Sequence, residues 1–185
     1  MLSRTSLWPQ GYTSAAMISV NLDAEFYGRI FYPGIDVSEG DIQRLGWTGM
    51  EYGLPHLLDC FREHGVKGTF FIPGRVAELY PDAVRAIADA GHELGCHGYE
   101  HEILAHFTPE EQLELLKKAK AAIEKAAGRA VTGFRMPEGE ITEQTLVAAK
   151  EAGFAYSSSL SNTDVPYIRQ PAGLPELPIS WTLFD

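Results

Sequence analysis

The stretch GVKGTFFIPGRVAELYPDAVRAIADAGHELGCHGYEH, residues 65–101, decides the fold. Residues 66–72 (VKGTFFI) form a strongly β-prone run. Pro81 stands in the first turn of a helix over 81–90, and Gly91 follows its end. Residues 93–97 are again a short strand. Strand, helix and strand in this order form a unit whose strands lie parallel.

The same alternation extends in both directions. Residues 15–22 (AAMISVNL) are a short apolar run, read as a buried strand. Over 52–64, Leu54, Leu57, Leu58 and Phe61 recur at helical spacing before the stop at Gly65. Thr108, Pro109 and Glu111 form a capping signature that opens a helix over 108–127. Its apolar stripe is Leu113, Leu116, Ile123 and Ala127. Glu110, Glu111 and Glu114 lie early in it and Lys117, Lys118, Lys120 and Lys125 late, matching the helix dipole. A strand over 131–135, a helix over 142–152, a strand over 154–158 and a Pro-rich edge strand over 174–183 complete the pattern. Residues 26–50, rich in Gly and aromatics without clear period, read as a long loop. The expected class is α/β with mainly parallel strands, open or barrel-like, in a single domain.

Composition narrows the function. A chain of 185 residues with 45% hydrophobic and 22% charged residues is globular and buries a real core. The formal net charge of −10 argues against binding to nucleic acid or an anionic membrane. No apolar run approaches the ~18 residues of a membrane span, and residues 1–10 carry no apolar core of a secretory signal. Two cysteines, Cys60 and Cys96, are too few for a disulfide framework; lone buried thiols and a cytoplasmic setting are expected.

In parallel α/β folds the site gathers at the carboxyl ends of the strands. Asp23, His97, His101 and Arg135 fall there. His97 and His101, four apart, share a side of one helical turn and suit a divalent metal, or else they are two surface histidines on a solvated loop. Asp23 adds a hard oxygen ligand, and two histidines with one carboxylate leave positions open for catalysis. Asn21, Asp23 and Glu25 share one face if the strand continues through them. Arg135 suits holding a carboxylate. His106 is a weaker fourth ligand candidate. Trp47, Tyr52 and Pro137 are candidate substrate contacts, with core packing the default for the aromatics. The serine run 157–159 lacks a nucleophile elbow, and no phosphate-cradling loop is present.

These blocks, in order, resemble the polysaccharide deacetylase family, the NodB-homology domain. The resemblance runs through NLDAE (21–25), GVKGTFFIPG (65–74), AGHELGCHGYEH (90–101), GFRMPEG (133–139) and LPELPISW (174–181). It is nearest the branch with peptidoglycan deacetylase-like, allantoinase-like and cyclic-imidase-like proteins. The resemblance implies a distorted (β/α) barrel over residues 1–185 with one divalent metal, most often zinc, on Asp23, His97 and His101. It implies hydrolysis of a non-peptide amide C–N bond in an oligosaccharide or small molecule, with Arg135 orienting a catalytic carboxylate. Ring opening of a cyclic imide or allantoin is the alternative within this chemistry, and an inactive sugar- or metal-binding barrel is the alternative outside it. The family's base position, two residues before the ligand Asp, is Asn21 here, and Glu25 on the same face is the substitute expected. A late Leu-x-His motif has no counterpart after His106, so a shortened, incomplete barrel is expected. Self-association is a further expectation from the resemblance.

Overall fold

The structure, a computed structural model, describes residues 11, 12, 14–26 and 39–180. Strands β1 (Ser19–Asn21), β2 (Thr69–Ile72), β3 (Glu93–Cys96), β4 (Gly133–Phe134), β5 (Tyr156–Ser157), β6 (Tyr167–Arg169) and β7 (Leu174–Glu176) form one sheet. Its order is β1-β2-β3-β4-β5-β7-β6, parallel throughout except for the antiparallel β6–β7 pair. This is the mainly parallel α/β class that the alternation implies. Among the described residues the sheet is open, with β1 and β6 at its edges.

Register aligns the carboxyl ends. Asn21 stands opposite Phe71, Ile72 opposite Cys96, Cys96 opposite Phe134 and Phe134 opposite Ser157. Hydrogen bonds carry the ladder one step further, from Leu22 N to Phe71 O, His97 N to Ile72 O, Arg135 N to Cys96 O and Ser158 N to Phe134 O. Asp23, His97, Arg135 and Ser158 therefore emerge side by side.

The helices are α1 (Glu39–Thr48), α2 (Leu54–Glu63), α3 (Gly74–Leu79), α4 (Pro81–Asp89), α5 (Pro109–Ala127) and α6 (Glu143–Glu151). The capping box of α5 forms as its sequence predicts: Thr108 Oγ1 accepts from Glu111 N, and Glu111 returns the contact to Thr108 N. Leu116, Ala119 and Ile123 on its inner face are fully buried against the sheet and neighbouring helices. Leu116 and Ile123 each contribute about 1.5–3 kcal/mol by that burial. Phe70, Ile72 and Phe134 fill the sheet side of the core. Among the described residues no helix is long and apolar enough to cross a membrane.

Three features depart from the sequence reading. The expected loop over 26–50 contains α1, continued by a π-helical turn, Gly49–Gly53; residues 27–38 lie outside those described. Gly40 and Gly46 hide the helical signal, yet Gly46 is needed, because a Cβ there would stand 2.4 Å from Glu25 N. Helix α3 is unmarked in the sequence for the same reason. Its first residue, Gly74, lies so close to α5 that a Cβ would meet Ala119 Cα at 2.6 Å. Finally, the Pro-rich segment is not an edge. Strand β7 joins β5 through Ser157 and Glu176 on one side and pairs with β6 on the other, with Pro175 opposite Ile168. Residues 181–185, the end of that expected strand, lie outside those described.

Candidate active site

Two chain segments carry Asp23, His97 and His101. Asp23 follows β1, one residue beyond Leu22. The backbone then breaks out of extended geometry, with Ala24 at φ 47, into a 3-10 turn, Ala24–Phe26. His97 follows β3. The next residues form a tight loop rather than the expected helical turn, with Gly98 at φ 75 and His101 at φ 61. The Glu102 carboxylate accepts from Tyr99 N at 2.9 Å and also from Glu100 N, which folds the loop back on itself. The first N–H groups of α3 hold its other side, Gly74 N donating to Gly98 O and Arg75 N to Tyr99 O. Both rings thus reach one point by a left-handed turn, which the four-residue spacing alone does not reveal.

The ligand atoms of the three residues all lie within 4.8 Å of one another. His97 Nε2 is 3.7 Å from Asp23 Oδ1, and His101 Nε2 is 3.7 Å from Asp23 Oδ2. All three side chains are buried. His97 Nδ1 donates to the Arg135 carbonyl at 2.9 Å, which leaves the Nε2 lone pair facing Asp23. Asp23 Oδ1, His97 Nε2 and His101 Nδ1 are buried without a hydrogen-bond partner. Each such orphan costs about 1–3 kcal/mol, and buried orphans call for an explanation.

The electrostatics agree. Burial, then the neighbouring His101, pushes the His97 pKa well below its ordinary value; burial takes His101 down to about 4. Both rings are therefore neutral and able to donate a lone pair to a metal. Burial, and then the charge of Glu138, raises Asp23 to about 7 against the opposing pull of Arg135. A divalent cation between these groups would reverse that cost and take up the orphaned Asp23 Oδ1 and His97 Nε2. The residues present fit a divalent metal of the zinc type.

Arg135 is buried, and each of its three nitrogens donates a hydrogen bond. Nε donates to Ser158 O at 2.7 Å, Nη1 to Asn21 Oδ1 at 2.9 Å, and Nη2 to Ser19 Oγ and Ser158 Oγ. The guanidinium also lies over the Phe71 ring at 4.1 Å. Its hydrogen-bond partners here are neutral oxygens, and burial lowers its pKa to about 10. The expected carboxylate partner is thus replaced by the Asn21 amide. Arg135 only donates, so Asn21 turns its oxygen to the guanidinium and its NH2 away from it.

The remaining candidates divide. Glu25 does not share a face with Asn21 and Asp23, because β1 ends at Asn21 and the 3-10 turn breaks the alternation. Its carboxylate instead meets the Tyr80 hydroxyl, whose pKa is raised by burial and then by Glu25. Pro137 is buried and backs the histidine loop, where a Cβ on Gly98 would meet its ring at 3.3 Å. Trp47 and Tyr52 are about half exposed and meet edge to face at 5.7 Å. They sit on α1 and the π-helical turn, of which α1 packs on the turn following Asp23. His106 belongs to a separate 3-10 turn and does not join the cluster.

Two contributors escape the sequence reading. Glu138, at φ 57 and ψ 2, brings Oε1 to 4.0 Å from His101 Nε2. Its only mark in the sequence is the PEG that follows Arg135 and Met136. Serines 157–159 are scaffold: Ser158 holds Arg135, and Ser159 Oγ accepts from Met136 N. Buried Glu176 in turn accepts from Ser159 N and Leu160 N.

A model of the polysaccharide deacetylase family matches residues 47–157. A peptidoglycan deacetylase of Helicobacter pylori is 36% identical over 137 residues, 74% of this chain and 46% of its own length. A crystal structure from Mycobacterium smegmatis, assigned as a polysaccharide deacetylase, is 35% identical with a TM-score of 0.82 and covers 95% of this chain and 62% of that one. A mutant of a Bacillus anthracis family 4 carbohydrate esterase pseudoenzyme, with restored enzymatic activity, is 31% identical with a TM-score of 0.56 over 59% of this chain and 40% of that one. The chain spans less than half the length of the first curated relatives it matches. A mainly parallel sheet with its polar residues gathered at one end, and a family model spanning both histidines and Arg135, place the chain in the polysaccharide deacetylase family.

Proposed function

We propose that the chain is a metal-dependent hydrolase of non-peptide amide bonds that removes acetyl groups from an N-acetylated glycan. The observation that carries this reading is the convergence of Asp23, His97 and His101, all buried, with ligand atoms within 4.8 Å of one another and Asp23 Oδ1 and His97 Nε2 left without a hydrogen-bond partner. A bound zinc ion would polarise the amide carbonyl and make water more acidic. Asp23 and the two neutral imidazoles would hold it, while His97 keeps its orientation through the Arg135 carbonyl. Asn21, fixed by Arg135, presents NH2 donors that suit an amide oxygen of the substrate. Trp47 and Tyr52 offer apolar ring faces for a sugar at the outer wall.

The amide at position 21 favours a second reading, a metal-binding barrel without turnover. The likeness to a pseudoenzyme whose mutant regains activity supports keeping it. One experiment separates the two. The zinc-loaded protein is assayed on chitin oligomers and peptidoglycan fragments, with succinimide and allantoin alongside. Acetate release supports the deacetylase, and ring opening moves the substrate class. Zinc bound at one equivalent without turnover supports the silent barrel, and a protein that binds no zinc sinks both.

A further inference from the structure

The site as described still lacks a proton acceptor. The Asn21 oxygen is taken up by Arg135, and an amide does not accept a proton as a carboxylate does. The Glu25 carboxylate meets Tyr80. Among the described residues, the carboxylate that stands beside the triad without belonging to it is Glu138.

Its geometry suits the task. Glu138 Oε1 lies 4.0 Å from His101 Nε2, the same nitrogen that faces Asp23 Oδ2 at 3.7 Å. It stays outside the set of ligand atoms within 4.8 Å of one another, so it borders the metal position rather than sharing it. Its side chain is 23% exposed, open enough to meet a water and enclosed enough to be held. The backbone at Glu138 is left-handed, which costs a non-glycine residue of order 1–3 kcal/mol. Among the described residues, the other non-glycine residues with positive φ are Ala24, next to Asp23, and His101. Among the described residues, left-handed backbone at non-glycine positions thus falls only on segments that meet at the site, where surrounding structure holds it in place.

We propose that Glu138 is the catalytic base of this chain, accepting a proton from the attacking water at Oε1. This rests on the hydrolase reading above. The water O–H bond breaks and its oxygen bonds to the amide carbonyl carbon, while the proton goes to Glu138. As the C–N bond breaks, that proton passes to the departing nitrogen and Glu138 returns to its carboxylate form. Water is the only co-reactant.

The test uses the whole chain, loaded with zinc, on the substrate that the panel above identifies. Glu138→Gln is expected to keep one zinc per chain, measured by metal analysis, with KM within about threefold of the parent. Its kcat falls by about 10²–10⁴-fold, the usual contribution of a general base. Formate added to Glu138→Ala restores part of the lost rate, which a purely structural role would not allow. An active parent whose Glu138→Gln form keeps more than a tenth of its kcat overturns this proposal alone. Loss of zinc from Glu138→Gln also overturns it, since Glu138 is then a ligand. A parent that holds zinc and hydrolyses nothing overturns the hydrolase reading and this proposal with it.

Discussion

Asp23 is the residue whose charge state sets how the site takes up a metal. With its pKa at about 7, the free carboxylate is mostly protonated at pH 6, whereas His101, at about 4, and His97, pushed well below its ordinary value by burial, are uncharged there. Zinc needs the ionised carboxylate, so binding at pH 6 releases about 0.9 proton and at pH 8 about 0.1. Titration calorimetry in buffers of different ionisation enthalpy reads this directly. Asp23→Asn should abolish the release, and a release that persisted in it would place the titrating proton elsewhere. Asn21 carries a second prediction. In Asn21→Asp the carboxylate would sit on Arg135 Nη1, where the amide oxygen now lies at 2.9 Å, and gain a charge-assisted hydrogen bond. The Glu138→Gln/Asn21→Asp double variant should therefore recover at least about tenfold of the rate lost in Glu138→Gln, within the range a positioned base supplies. The triad was legible in the sequence because strand-end placement and spacing are enough to find Asp23, His97 and His101. Glu138 was not, because its approach depends on a left-handed backbone that no residue preference signals at a glutamate. Glu25 was misplaced because alternation was extended four residues beyond the end of β1 at Asn21.

At the scale of elements, the long periodic segments were readable and the short ones that hold the site were not. Helix α5 announces itself through Thr108, Pro109 and Glu111 and a stripe ending at Ala127. Helices α1 and α3 do not, because close packing puts glycines where helix propensity wants alanine. That conflict is testable. In Gly46→Ala the new Cβ would stand 2.4 Å from Glu25 N, a backbone atom of the turn that follows Asp23. Overpacking of this kind costs about 1–3 kcal/mol, more than the roughly 1 kcal/mol that alanine gains over glycine inside a helix. Gly53→Ala meets nothing within 4 Å and has ordinary helical backbone angles, so it should be neutral or stabilise by a few tenths to about 1 kcal/mol. Urea unfolding of the two variants gives the comparison. Because the strain of Gly46→Ala falls on the turn beside Asp23, its zinc affinity should drop as well, while that of Gly53→Ala should not.

For the whole molecule, the proposed metal position joins parts of the chain that the sheet leaves weakly tied. Asp23 lies just past β1, a three-residue strand at the edge of the sheet among the described residues, whereas His97 and His101 follow β3, two strands further in. A ligand bound by both segments crosslinks the sheet edge to its centre and binds the folded form alone, so its binding energy adds to stability. With free zinc at 100 times its dissociation constant the gain is about 2.7 kcal/mol. For a chain of this size each kcal/mol raises Tm by about 2–4 °C, so zinc should raise it by roughly 5–11 °C. His97→Ala removes one ligand and should abolish the rise. A chelator added to the zinc-loaded parent should return its Tm to the metal-free value. Differential scanning calorimetry with and without zinc measures both. A parent whose Tm is indifferent to zinc would mean that the three orphaned atoms serve some other partner, and the hydrolase reading would fall with the metal.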